Sequence, residues 1–102
     1  MNEVQKTIDE IRSGNEKAIV TGISSNVPIV VLNALLMGTK LHIKDDRFIA
    51  GVIKAKQDNE NKFFGMPMSY LAEAALYCIE GVTYNGTDLY MKKLIESDFQ
   101  GV

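Results

Sequence analysis

Pro28-Ile29-Val30-Val31-Leu32-Asn33-Ala34-Leu35-Leu36-Met37 is the stretch on which the fold turns. From Ile29 to Met37 only Asn33 is polar, and Pro28 stands where its missing backbone N–H costs nothing, because the first amides of a helix have no partner inside it. Ser24-Ser25-Asn26 just upstream supplies oxygens able to cap that start. The pattern predicts a helix that is apolar nearly all round, which belongs at the centre of a domain with neighbours on several sides.

Downstream, Gly38 lies within or just past the helix end, and Thr39 to Ile43 form a last turn or a connection. Asp45 or Asp46 then caps a segment in which Phe48, Ile49, Val52 and Ile53 make one apolar stripe, with Arg47, Ala50 and Lys54 on the other side; this predicts a helix over 46–57. Gln57 to Lys62 is the most polar stretch and reads as a loop, with Phe63 and Phe64 folding back onto the core behind it. Pro67 and Ser69 open a helix to about Glu80, its inner face Leu71, Ala74, Ala75, Cys78 and Ile79, with Gly81 beyond its end. After the turn Tyr84-Asn85-Gly86, Thr87 or Asp88 caps a last helix to about Ser97, with Tyr90, Met91, Leu94 and Ile95 inward and Lys92, Lys93 and Glu96 outward.

Upstream, Val4, Ile8 and Ile11 recur at helical spacing over residues 2–13, and Ser13-Gly14-Asn15 ends that helix and caps the next. Residues 15–23 fit a short helix through Ala18, Ile19 and Ile23, although Val20, Thr21 and Gly22 also suit a strand or turn. The expectation is an all-α protein of about six helices, arranged as three antiparallel hairpins in a single domain, 1–102. An irregular helical bundle is the alternative.

The chain has 102 residues, 46% of them hydrophobic and 24% charged, an ordinary globular composition. Eleven basic residues against thirteen acidic ones give a net charge of −2. With Lys and Arg scattered singly apart from Lys92-Lys93, no positive field or cluster is available for phosphate backbones or anionic lipid, so neither nucleic acid nor membrane is an expected partner. No apolar run approaches the roughly 20 residues of a membrane span, the N-terminus lacks the apolar core of a secretion signal, and one cysteine permits no internal disulfide. A reducing cytoplasm is the expected compartment.

Pro28 and Pro67 each open an apolar helix, each is followed by a capping acid and a second amphipathic helix, and Leu32 and Leu71 keep the same offset. A two-helix unit with a period of about 40 residues resembles HEAT-type or armadillo-type helical repeats. The resemblance covers about residues 27–97 and lacks the charged ladder between repeats. It implies a short right-handed α-α superhelix whose first two helices cap the array, and a scaffold whose second helices line a concave surface that binds another protein. The matching positions here are Arg47, Lys54, Lys92, Lys93 and Glu96.

The chemical alternatives are weaker. Val20-Thr21-Gly22-Ile23-Ser24-Ser25 lacks the further glycines that would let backbone approach a pyrophosphate. His42 is the only histidine, so a multi-histidine metal site is excluded, and its place near a helix end suits a dipole partner or surface residue better than a general base. Cys78 sits among apolar residues as a buried structural thiol, and a cysteine–histidine pair requires folding to bring it to His42. Asp45-Asp46 and the acids of the 58–61 loop lack the glycine and terminal glutamate of a calcium loop and read as caps and solvated loop. Tyr70, Tyr77, Tyr84 and Tyr90 offer large contact area with polar tips, Tyr84 being the best placed for a partner.

The expectation is therefore a non-enzymatic protein-binding module without cofactor or metal, a small bacterial regulator or a toxin-neutralising immunity protein, monomeric or a small homo-oligomer. The alternative is a small-molecule-binding or enzymatic domain with a pocket near Phe63, Phe64, Met66 and Met68, whose flexible thioethers suit an adaptable lining.

Overall fold

Four of the six helices among the described residues begin on a side-chain cap that leaves little choice of starting point. In the computed structural model, which describes residues 2–100, the carboxamide of Asn2 accepts from Val4 N–H to start α1 (Glu3–Arg12), and that of Asn15 accepts from Ala18 N–H to start α2 (Glu16–Gly22). The carboxylate of Asp45 accepts from Arg47 N–H at α4 (Asp46–Ala55), and that of Asp88 from Tyr90 and Met91 N–H at α6 (Leu89–Glu96). Each oxygen satisfies an amide that the helix itself leaves unpaired. The two proline-led helices, α3 (Pro28–Lys40) and α5 (Met68–Glu80), have no side-chain cap. Ser25 Oγ instead accepts from Val27 N–H (3.0 Å), shaping the turn before α3 rather than capping the helix.

The protein is all-α, with one two-residue hairpin, β1 (Lys62–Phe63) and β2 (Met66–Pro67), paired antiparallel between α4 and α5. The segment left open between helix and strand is helical. The expected helix at 46–57 ends at Ala55, and the hairpin replaces the end of the expected loop. Met1, Gly101 and Val102, part of the expected 1–102 domain, lie outside the described residues.

α3 is central, as its composition requires, and packs on α1, α2, α4 and α5; α5 in turn packs on α3, α4 and α6, and α2 reaches α4. One buried cluster runs through all six helices, from Ile8 and Ile19 through Leu35 and Phe48 to Leu71 and Leu94. The result is elongated, 43 × 26 × 24 Å. The two polar side chains buried in α3 are satisfied within it: Thr39 Oγ1 donates to Leu35 O (2.7 Å) and Asn33 Nδ2 to Ile29 O (2.8 Å). At Gly38 the Phe48 ring occupies the space where a side chain would begin.

Three apolar side chains expected inside are not there. Tyr90 and Ile53 are each 51% exposed, because α6 packs mainly on α5 and buries only Met91 and Leu94 fully, and the buried side of α4 is Phe48, Gly51, Val52 and Ala55. Phe64, expected to fold back, is 84% exposed. Beyond α6 the chain turns through two left-handed residues, Asp98 (φ 58°) and Phe99 (φ 63°), which drive the Phe99 ring into the core.

Candidate functional site

The polar loop before the hairpin supplies what α5 lacks. Asp58 folds it by accepting from Glu60 and Asn61 N–H (3.0 Å each) and from Asn61 Nδ2 (2.8 Å), and these bonds, led by those from Asn61, hold its carboxyl below the usual carboxylate range. The loop then offers Asn61 O to Met68 N–H and Asp58 O to Ser69 N–H, both at 2.8 Å, so backbone carbonyls take the first amides of α5 in place of a cap. Ser69 Oγ adds a bond to Asn59 Oδ1 (2.6 Å). The Asp58 carboxylate is thus engaged in building the base of the hairpin.

On that base, Phe63 and Met66 pair across the strands and half-bury themselves against the core. The two residues between them, Phe64 (φ 55°) and Gly65 (φ 80°), both take positive φ, as the mirror-image turn of a two-residue hairpin demands. Asn-Gly is the usual occupant. A phenylalanine there carries left-handed strain on the order of 1–3 kcal/mol, and its ring stands in solvent.

The ring is not alone. Phe64 lines a groove of about 220 Å³ together with Ile29, Leu32, Leu36 and Met37 from α3, bordered by Arg12, Asn33 and Lys40. Ile29 is 39% exposed, and Leu36 and Met37 are half-buried, so the central helix keeps one apolar stripe open. Arg12 crosses from α1 and donates from Nε to Asn33 Oδ1 (3.2 Å), which orients its guanidinium over the stripe. Among the described residues no carboxylate lines the groove.

The positions assigned to a partner from sequence are spread out. Arg47 turns back on its own cap, donating from Nε and Nη2 to Asp45 (3.2 and 3.0 Å), which lowers the Asp45 pKa and raises its own. Lys54 lines a second cleft of about 190 Å³ with Ser24, Ser25, Asp58 and Met68. Lys92, Lys93 and Glu96 are exposed on α6. Tyr84 is half-buried, its ring edge-on to Tyr77 (centroids 5.3 Å apart) and its hydroxyl accepting from Asp88 N–H (3.2 Å), so it braces the turn into α6. Tyr70 donates to Asp88 (2.9 Å), and burial together with that carboxylate pushes its phenol up to about 12. Of the four residues proposed to share a pocket, Phe64 faces the α3 groove while Met68 is buried at the Lys54 cleft.

Folding does bring Cys78 and His42 to a common neighbour, but in the wrong order for nucleophilic chemistry. His42 Nε2 pairs with the Asp98 carboxylate, and the same carboxylate acts on Cys78. The thiol, 3.8 Å from Ile95 O, is pushed up to about 11, first by burial and then by that negative charge. An activated cysteine needs a cation beside it. Among the described residues no three His, Cys, Asp or Glu side chains are gathered as a metal site requires, and no helix is long and apolar enough to cross a membrane.

The groove was illegible in the sequence because it joins residues from three distant segments, and only Phe64-Gly65 carried a local signal, a two-residue turn with glycine second. The chain matches no family model, no curated protein and no solved structure.

Proposed function

We propose that the chain is a non-enzymatic protein-binding module on a HEAT-like array of helical hairpins, a small bacterial regulator or toxin-neutralising immunity protein of the cytoplasm. The observation that carries this reading is Phe64, an aromatic side chain held in a strained backbone conformation and exposed beside an open apolar stripe. Strain and exposure both cost the isolated protein stability, and both are explained if the ring is an anchor for another molecule. Support for the repeat reading comes from the packing, in which α1, α3 and α5 contact one another in series and α2 reaches α4, as stacked hairpins do.

The runner-up is a domain that binds a small molecule. The clefts lined by Met68 and by Phe64 measure about 190 and 220 Å³, below the roughly 300–1,000 Å³ of ligand pockets. A pocket at the Phe63–Met68 segment is therefore disfavoured against protein binding; the larger surface cleft of about 330 Å³ at Lys56, Glu73, Leu76 and Tyr77 lies outside that segment.

Photo-crosslinking in native cells tests the reading. A benzophenone amino acid in place of Phe64 is expected to trap one discrete protein adduct, with a second probe at Lys93 reporting on the α6 surface. An adduct only at position 93 moves the binding surface to the one drawn from the repeat resemblance, and no adduct at either position overturns the reading.

A further inference from the structure

We propose that Asn85 is a site of spontaneous covalent modification, at which an exposed asparagine–glycine turn converts to an isoaspartyl link and loosens the start of α6. The proposal is independent of what the chain binds.

Sequence and packing together fix the reactive pair. Asn85-Gly86 is the one place in the chain where asparagine precedes glycine, and it lies in the connection between α5 and α6, outside any helix or strand. Both residues are exposed, and among the described residues neither the Asn85 carboxamide nor the Gly86 N–H has a hydrogen-bond partner. The carboxamide is free to turn onto the amide that follows it, and no side chain at position 86 blocks the approach. Nor is the glycine free to vary. A β-carbon there would overlap the ring and hydroxyl of Tyr84, which are held edge-on by Tyr77 (centroids 5.3 Å apart) and by the bond from Asp88 N–H (3.2 Å). The other asparagines are each followed by a residue with a side chain, and Asn2, Asn15, Asn33, Asn59 and Asn61 have their carboxamides engaged in hydrogen bonds.

The step needs only water, and side-chain amides are thermolabile. The Gly86 amide nitrogen, its proton taken by hydroxide, bonds to Asn85 Cγ. The Cγ–Nδ2 bond breaks, and that nitrogen leaves as ammonia on taking a proton from water, which regenerates the hydroxide and closes a succinimide ring. Water then opens the ring at either carbonyl. Cleavage of the new N–Cγ bond returns an ordinary aspartyl residue, whereas cleavage between nitrogen and the main-chain carbonyl leaves the chain running through Cγ, an isoaspartyl link with a longer backbone. Nothing is oxidised or reduced.

What lies next in the chain gives the conversion its effect. Asp88 caps α6 by accepting from Tyr90 and Met91 N–H (3.0 Å each), and it also accepts from the Tyr70 hydroxyl (2.9 Å). A new carboxylate at position 85 stands in the same short connection and repels that of Asp88. The longer backbone also displaces Tyr84 from Asp88, because the bond between them spans the modified link. Little else holds this end of α6, which packs mainly on α5 and leaves Leu89 and Tyr90 exposed.

The full chain kept in warm buffer at pH 8, followed by peptide mapping and by enzymatic methylation of isoaspartyl groups, provides the test. The mass change of amide to acid is expected at position 85 before any other asparagine, at a rate in the native protein comparable to that in urea, and is expected to be lost in Asn85→Gln. In the isoaspartyl fraction, amide exchange is expected to quicken at Tyr90 and Met91 and Tm to fall by about 4 °C or more. Asn85→Asp, which adds the charge without lengthening the backbone, is expected to fall between that fraction and the parent. Conversion only in urea, conversion first at another asparagine, or its persistence in Asn85→Gln overturns the site. An isoaspartyl fraction that melts and exchanges like the parent, or like Asn85→Asp, overturns the loosening of α6 by the altered backbone.

Discussion

The ring of Phe48, fully buried in α4, lies against the α-carbon of Gly38 in α3, so the closest approach of these two helices depends on the absence of a side chain. Ile19 of α2 closes the same spot at 3.1 Å from where a β-carbon would sit. Gly38→Ala is therefore expected to destabilise the protein by about 1–3 kcal/mol, the range for forcing a methyl group into a packed core, and to lower Tm by at least about 4 °C. Adding Phe48→Leu is expected to recover part of that loss. Equal stability of Gly38→Ala and the parent in urea would show that α3 and α4 do not meet this closely.

Phe64 makes the opposite prediction, since its replacement ought to help the isolated fold. Asparagine adopts the left-handed conformation of the turn with less strain, and no buried contact is lost with a ring that is 84% exposed. Phe64→Asn is expected to raise stability by about 1 kcal/mol, read from urea unfolding and Tm. A drop in Tm would mean that the ring packs on α3 and is part of the structure rather than an anchor.

The carboxyl of Asp88 lies below its ordinary value of 3.8, chiefly through the bond from Met91 N–H and then the hydroxyl of Tyr70. A carboxyl whose folded pKa is depressed adds stability above its unfolded pKa and loses it as pH falls through the folded one. Unfolding free energy is thus expected to hold between pH 5 and 7 and to decline below about pH 4. Asp88→Asn, which keeps a capping oxygen, is expected to flatten part of that decline. An unchanged slope below pH 4 in the variant would remove Asp88 from the balance.

Cys78 is expected to resist alkylation. With its pKa at about 11 and its side chain buried, almost no thiolate is present at pH 8. Iodoacetamide at that pH is expected to modify the native protein far more slowly than the urea-unfolded chain, followed by intact mass. Comparable rates in the two states would mean that the thiol is accessible and that its neighbourhood is more open than described.

Much of the fold was legible because local signals agreed with one another. Asn15, the Asp45-Asp46 pair and the Thr87-Asp88 pair marked starts that the structure uses, and Gly81 (φ 69°) ends α5 in the left-handed conformation its position suggested. The apolar run after Pro28 pointed to the centre, where α3 lies. What escaped depends on single residues taking backbone conformations that their types do not announce. Phe99 follows the end of α6 and enters the core only because Asp98 and Phe99 both turn left-handed, and nothing in helical periodicity registers that. Phe64 reads as interior because apolar residues next to each other usually go there, whereas it occupies the left-handed turn between the strands and stands outside the fold. The candidate site was less legible still: Tyr84, chosen for its exposure in a turn, is occupied with Tyr77 and Asp88, and the α3 stripe was counted as core because a sequence does not say which side of a helix will go uncovered.

The lip of the groove is Arg12 from α1, its floor is α3 and its edge is the hairpin after α4. Were a partner to bind there, as proposed, its recognition would be inseparable from the integrity of all three segments, and occupancy and folding would be linked by mass action, each tenfold excess of partner over Kd adding about 1.4 kcal/mol. In a cell, unaccompanied copies would then open more often and reach proteases first, and the abundance of the protein would follow that of such a partner.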